Sequence, residues 1–196
     1  MPRVRGLLAV TLLVLACAAC GGNARDPAAG TSKTTTASIP ASPSPTVSSD
    51  LATYSPDERA AFTVAIAALH RFVTTSDQFL GQGKLTKRQA AFYRRNSINW
   101  VDDWANLSQF VHKQVTYKGT PKEVWLRPVS IELTSKDGQV VEVKRCLDQS
   151  NLRVFAAGKR VPQPQLKVPH VYRISIIKKP SETWWRTGLP KQGATC

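Results

Sequence analysis

The chain has 196 residues, with 27 Lys and Arg against 13 Asp and Glu, and a formal net charge of +14. Its length allows one domain with extensions or two small domains. With 42% hydrophobic residues it can form a packed core, which excludes a chain disordered throughout, and it is too polar over most of its length for a multi-span membrane protein.

Arg3 and Arg5 precede an uncharged run from Leu7 to Ala16. The run is too short for a spanning helix, which needs ~20 residues, and fits the apolar region of an export signal. Val14-Leu15-Ala16-Cys17 then resembles the lipobox of bacterial lipoprotein precursors, with an aliphatic residue three before the cysteine and a small residue directly before it. Ala18-Ala19-Cys20 has the small residues, but Cys17 fills its aliphatic position, so Cys17 is favoured and Cys20 is the alternative. The resemblance implies a diacylglycerol thioether on that cysteine, a signal peptide over 1–16, and a chain held on the outer face of the cell membrane. Two acyl chains give stable anchoring where one does not. An ordinary secretory signal cut after Ala19 would instead release the protein. The spacing of Cys17 and Cys20 also matches a redox or zinc pair, a reading opposed by its place inside an export signal.

Residues 17–54 read as the lipidated N-terminus followed by a disordered linker. Within 27–49, twenty of 23 residues are Ser, Thr, Pro, Ala or Gly. No apolar periodicity offsets the entropy of ordering such a stretch. As a flexible coil it spans about 30–35 Å, enough to lift a domain off a membrane.

The α+β domain is expected over 55–196. Ser55-Pro56-Asp57-Glu58 is a helix start with a capping box, and Ala61, Val64, Ala68, Phe72 and Phe79 recur at helical spacing up to Gly81-Gln82-Gly83. Thr86 to Gln89 caps a second helix carrying Ala90, Phe92 and Tyr93. A third places Trp100, Trp104, Leu107 and Val111 on one stripe. Beyond residue 114 the period becomes alternating. Strands are expected at Val115–Tyr117, Val129–Leu133, Val140–Leu147, His170–Lys178 and Thr183–Thr187, with turns at Lys136-Asp137-Gly138 and Ala157-Gly158-Lys159. Helices first and strands after is an α+β pattern, with N-terminal helices packed on a curved antiparallel sheet.

Cys146 and Cys196 are the only cysteines in this domain. In an oxidising, exported setting two such thiols pair as a disulfide. A nucleophilic Cys146 is the alternative, without a base near it in sequence.

Gly119-Thr-Pro121, Cys146-Leu-Asp148-Gln-Ser150, Gly158, Trp184-Trp185 and Cys196 together resemble the nuclear transport factor two-like (cystatin-like) domains of secreted actinobacterial lipoproteins. The resemblance covers about residues 56–196 on loose motifs. It implies a cone, with helices on a strongly bent sheet and a cavity at its open end. Members with this layout are mostly non-enzymatic or uncharacterised.

No nucleotide-binding glycine loop and no nucleophile elbow occurs, and His70, His112 and His170 stand apart without metal-ligand or triad spacing. No cofactor or metal is expected. Asp148 is the best candidate for a carboxylate base in a cone. Tyr172, Trp184 and Trp185 are candidates to line its cavity, and Asp102-Asp103 a further acidic pair. Against this stand bland roles: Asp148 holding a turn or pairing with Arg145 or Arg153, and the tryptophans as core. Residues 54–196 hold 23 Lys and Arg against 11 Asp and Glu. Outside a cell, the anionic surfaces in reach are lipid head groups and wall polyanions such as teichoic acids, not nucleic acid. The expected function is a non-catalytic binding or assembly module of the cell envelope, with an anionic wall polymer or an envelope protein as partner. The alternative is a small-molecule carrier or isomerase-like enzyme using the cone.

Overall fold

The structure, a computed structural model, describes residues 49–196. The expected signal peptide, Cys17, Cys20 and the expected linker up to residue 48 lie outside the described residues.

Among the described residues, three α-helices precede eight strands. A 3-10 turn at Ser49–Thr53 leads into α1 (Pro56–Gly81), α2 (Lys87–Asn96) and α3 (Trp100–His112). The folded region begins upstream of the expected boundary, because Leu51 and Tyr54 pack against the core. The α1 capping box forms as expected. Ser55 Oγ accepts from the Glu58 N–H, and the Glu58 carboxylate accepts from the Ser55 N–H at 2.7 Å. Thr86 and Gln89 repeat the arrangement at α2. The buried stripe of α1 is Phe62, Ala65, Ala68, Leu69 and Phe79, whereas Val64 is 55% exposed. Phe62, not Val64, shares a face with Ala65 and Leu69, at the i, i+3 and i+7 spacing of a helix.

The strands are β1 (Val115–Lys118), β2 (Lys122–Ser135), β3 (Gly138–Asp148), β4 (Arg153–Ala156), β5 (Lys159–Val161), β6 (His170–Lys178), β7 (Arg186–Thr187) and β8 (Lys191–Thr195). They form two antiparallel sheets. The smaller has the order β1-β4-β5, and the larger runs β2-β3-β6. β7 pairs with the C-terminal half of β6 and β8 with its N-terminal half. Two expectations change here. The strand expected at Thr183–Thr187 shrinks to Arg186–Thr187, and Lys191–Thr195 forms a strand with no apolar periodicity to announce it.

β2 is far longer than the five residues expected, because bulges break its alternation. The register shifts between Pro128 and Ser130, so Leu126 and Ile131, five residues apart, both reach the core. Pro128 is tolerated because β2 is the sheet's edge. The β2–β3 turn is Lys136-Asp137, and Gly138 opens β3 at φ +110°. A Cβ there would lie 2.2 Å from the Lys178 carbonyl oxygen, so the glycine serves close strand approach as well as the turn.

α1 joins two apolar cores. Its first half packs on the inner face of the large sheet, against Leu126, Ile131, Val141, Val143, Ile174 and Ile176. Its second half meets α2 and α3 in an aromatic cluster around Phe79, Tyr93 and Leu107. Three helices packed with antiparallel sheets make the domain α+β.

Candidate functional site: a basic sheet face

The register of the large sheet brings four cations into one row. Arg127 of β2 lies opposite Lys144 of β3, Lys144 opposite Arg173 of β6, and Arg173 opposite Lys191 of β8. Side chains alternate along a strand, so this row faces away from the helices while Val143 and Ile174 face in. All four residues are exposed. Like charges directly opposite one another in a sheet are destabilising, so this row works against the fold that carries it. One carboxylate relieves it: both Glu142 oxygens accept from the Arg173 guanidinium. The Arg173 hydrogen bond holds the Glu142 carboxyl below its usual range, and Lys191 and Lys144 add to the effect. The Arg127 guanidinium lies over the Trp125 ring, 5.0 Å from its centroid.

These residues line an open groove of about 750 Å³, walled on one side by Trp125, Pro128 and Val129 and on the other by Gln192, Gly193 and Ala194 of β8. The disulfide closes beside it. Cys146 and Cys196 sulfurs lie 2.10 Å apart, with Cα atoms at 6.1 Å. Cys146 follows Lys144 by two residues on the same face, and the bridge ties β8, hence Lys191, to β3.

Two further clefts are also basic. One, of about 390 Å³, contains Arg153, Arg160 and Lys167. The other, of about 430 Å³, contains Arg71, Arg88 and Arg95 with Phe92 and Trp184. No acidic residue lines any of the three clefts.

The four candidates for a cone cavity share none of the three clefts, and only Trp184 lines one of them. Asp148 ends β3, and its carboxylate accepts from the Ser150 N–H at 2.9 Å. The Ser150 hydroxyl and N–H hold it below the usual carboxylate range, which suits a turn and not a proton acceptor near neutral pH. Trp185 is 6% exposed in the sheet core. Trp184 lies off that core, with Arg95 4.8 Å from its ring centroid. Tyr172 donates to Gln149 Oε1 at 2.9 Å. Of the expected acidic pair, Asp103 accepts from the buried Ser97 hydroxyl, and burial raises its pKa.

On the inner face, Arg145 is 6% exposed. Its Nε lies 3.6 Å from Glu123, a charge pair too long for a hydrogen bond, and has no hydrogen-bond partner. Glu123 also meets His70 at 3.4 Å. Burial lowers the Arg145 pKa, while Glu123, Asp77 and Tyr172 oppose that effect. Arg145 lines none of the three clefts.

Among the described residues, no group of three or more His, Cys, Asp or Glu could hold a metal ion. No helix among them is long and apolar enough to cross a membrane. Comparison with protein-family models, with curated proteins and with solved structures gives no match for this chain.

In the sequence the four cations of this row are four among 23 Lys and Arg over residues 54–196, and composition alone does not set them apart. A usable signal existed. Arg127 and Trp125, Lys144 and Glu142, and Arg173 and Ser175 each fall two apart, at positions alternating with apolar residues. What was missing was the register that aligns them.

Proposed function

We propose that this protein is an exported lipoprotein, anchored through Cys17 or Cys20 to the outer face of the cell membrane. Its domain is a non-catalytic binding module for an anionic partner of the envelope. The observation that carries the reading is the charge of the clefts: ten Arg and Lys side chains line them and no carboxylate does. The Val14-Leu15-Ala16-Cys17 motif supports the anchor. The pairing of Cys146 with Cys196 fits an oxidising compartment. Helices on one face of a bulged antiparallel sheet fit the nuclear transport factor two-like layout, and the cone is part of this proposal.

The test has two parts. Intact mass and peptide mapping of the protein from its native membrane fraction should find a diacylglycerol adduct on Cys17 or Cys20. An unmodified, soluble form cut after Ala19 would remove the anchor. Immobilised protein should retain anionic wall polymer from envelope extracts. Retention no greater than that of a charge-matched basic control would remove the partner.

A further inference from the structure

We infer that the outer face of the large sheet is a docking groove for one extended, linear polyphosphodiester chain. The inference rests on the anionic-partner reading above and assigns that partner a surface and a chemistry. The groove crosses four strands at right angles to them. At ~4.8 Å between strands, its four cations span about 14 Å, the length of a chain segment and not of a single small ion. The row lies in a groove lined by β2 at one end and β8 at the other, a concave form that suits a chain better than a bilayer. Its walls include Trp125, Pro128, Val129 and Val171, which give carbon-rich spacer units an apolar surface between charges.

The donor chemistry favours phosphate over carboxylate. The planar fork of Arg173 already holds a carboxylate, that of Glu142. The Arg127 guanidinium is stacked on Trp125, and the other two rungs are the ammonium groups of Lys144 and Lys191. Ammonium groups act as point charges towards phosphate oxygens and need no planar fork. A tetrahedral phosphate with two free oxygens can bridge neighbouring rungs, which a carboxylate bound in one fork does not. An anion in the groove also relieves the repulsion between rungs, so binding and folding pull in opposite directions at the same residues.

That opposition gives the test. Full-length protein in detergent is titrated with synthetic poly(glycerol phosphate), with polyglutamate, and with phosphatidylglycerol-containing vesicles, over a range of salt. The double variant Lys144→Thr/Lys191→Thr is compared with Lys84→Thr/Lys113→Thr, which removes the same charge from exposed positions that line none of the three clefts. The groove predicts at least about tenfold weaker poly(glycerol phosphate) binding for the first pair. It also predicts a salt slope lower by about 1.5, as for two cations lost from a single-stranded polyanion site. The second pair should change little. Thermal melts should show the first pair folded and raised in Tm by about 2 °C. Equal weakening by both pairs would overturn the groove and leave the anionic-partner reading standing. Preference for vesicles, lost in the first pair, would assign the face to a membrane and overturn the polymer. Preference for polyglutamate would overturn the phosphodiester chemistry. Failure of the wild-type protein to bind any of the three would overturn both this inference and the anionic partner.

Discussion

On β3, Val141 and Val143 face α1 and are fully buried, whereas Glu142 and Lys144 face away and carry charge. The same strand thus serves two surfaces with different physics. The inner face gains stability from each apolar residue it adds, at about 25 cal/mol for each Å² of apolar surface removed from water. The outer face carries a row of like charges that costs stability, and it is held together partly by a covalent bond. A surface that opposes its own fold, beside one that builds it, marks where a partner is expected to contribute.

The largest break in this contrast comes from the disulfide. Replacing Cys196 with Ser frees a loop with a 50-residue sequence separation, worth about 4 kcal/mol on the chain-entropy account. β8 has no buried residue to hold it. Denaturant melts should show the loss of stability, and amide exchange should show β8 opening ahead of β2 and β3. On the inner face, Ile176→Ala should cost about 2–5 kcal/mol, since Ile176 is fully buried. That variant should still bind polyanion wherever it is folded, which separates the two faces.

Smaller effects sharpen the same contrast. Arg145→Met replaces a buried, poorly paired guanidinium with an apolar chain of similar reach. Its stability should fall by about 1–3 kcal/mol, because the Glu123 and Asp77 carboxylates lose its charge, and its polyanion affinity should not move. A fall in affinity would give the inner face a share in binding. Lys144→Thr alone should stabilise by about 0.5 kcal/mol while weakening polyanion binding. Least of all, the Glu142–Arg173 pair should leave a shallow pH dependence. The Glu142 pKa is lowered in the fold by its hydrogen bonds from Arg173. Its contribution is therefore complete above the unfolded value of about 4.3 and lost as pH falls through the lowered folded value. Acid melts of wild type and Glu142→Gln should differ in that window alone.

Much of the fold is legible in the residues, and the failures share a cause. The capping boxes at Ser55 and Thr86, the third helix at Trp100, and β6 over His170–Lys178 follow from local chemistry and period. The first half of β2, before Val129, is hidden because its bulges put Leu126 and Ile131 out of phase, so no period-two pattern runs through Pro128. β8 is hidden because Lys-Gln-Gly-Ala-Thr has no apolar face; it is fixed by pairing with β6 and by the disulfide. The candidate site suffers from both. Arg127 and Lys191 lie on the two strands that local pattern does not resolve. A row of charges across a sheet is a property of register, which bulges and a distant covalent tie set here.

The most direct test of the central claim is hydrogen exchange of the full-length protein with and without poly(glycerol phosphate), read peptide by peptide. Docking on the outer sheet face predicts new protection concentrated in β8, over 191–195, and in the neighbouring part of β6, with α2 unchanged. Protection confined to residues 84–96, or none in the large sheet at saturating polymer, would contradict it.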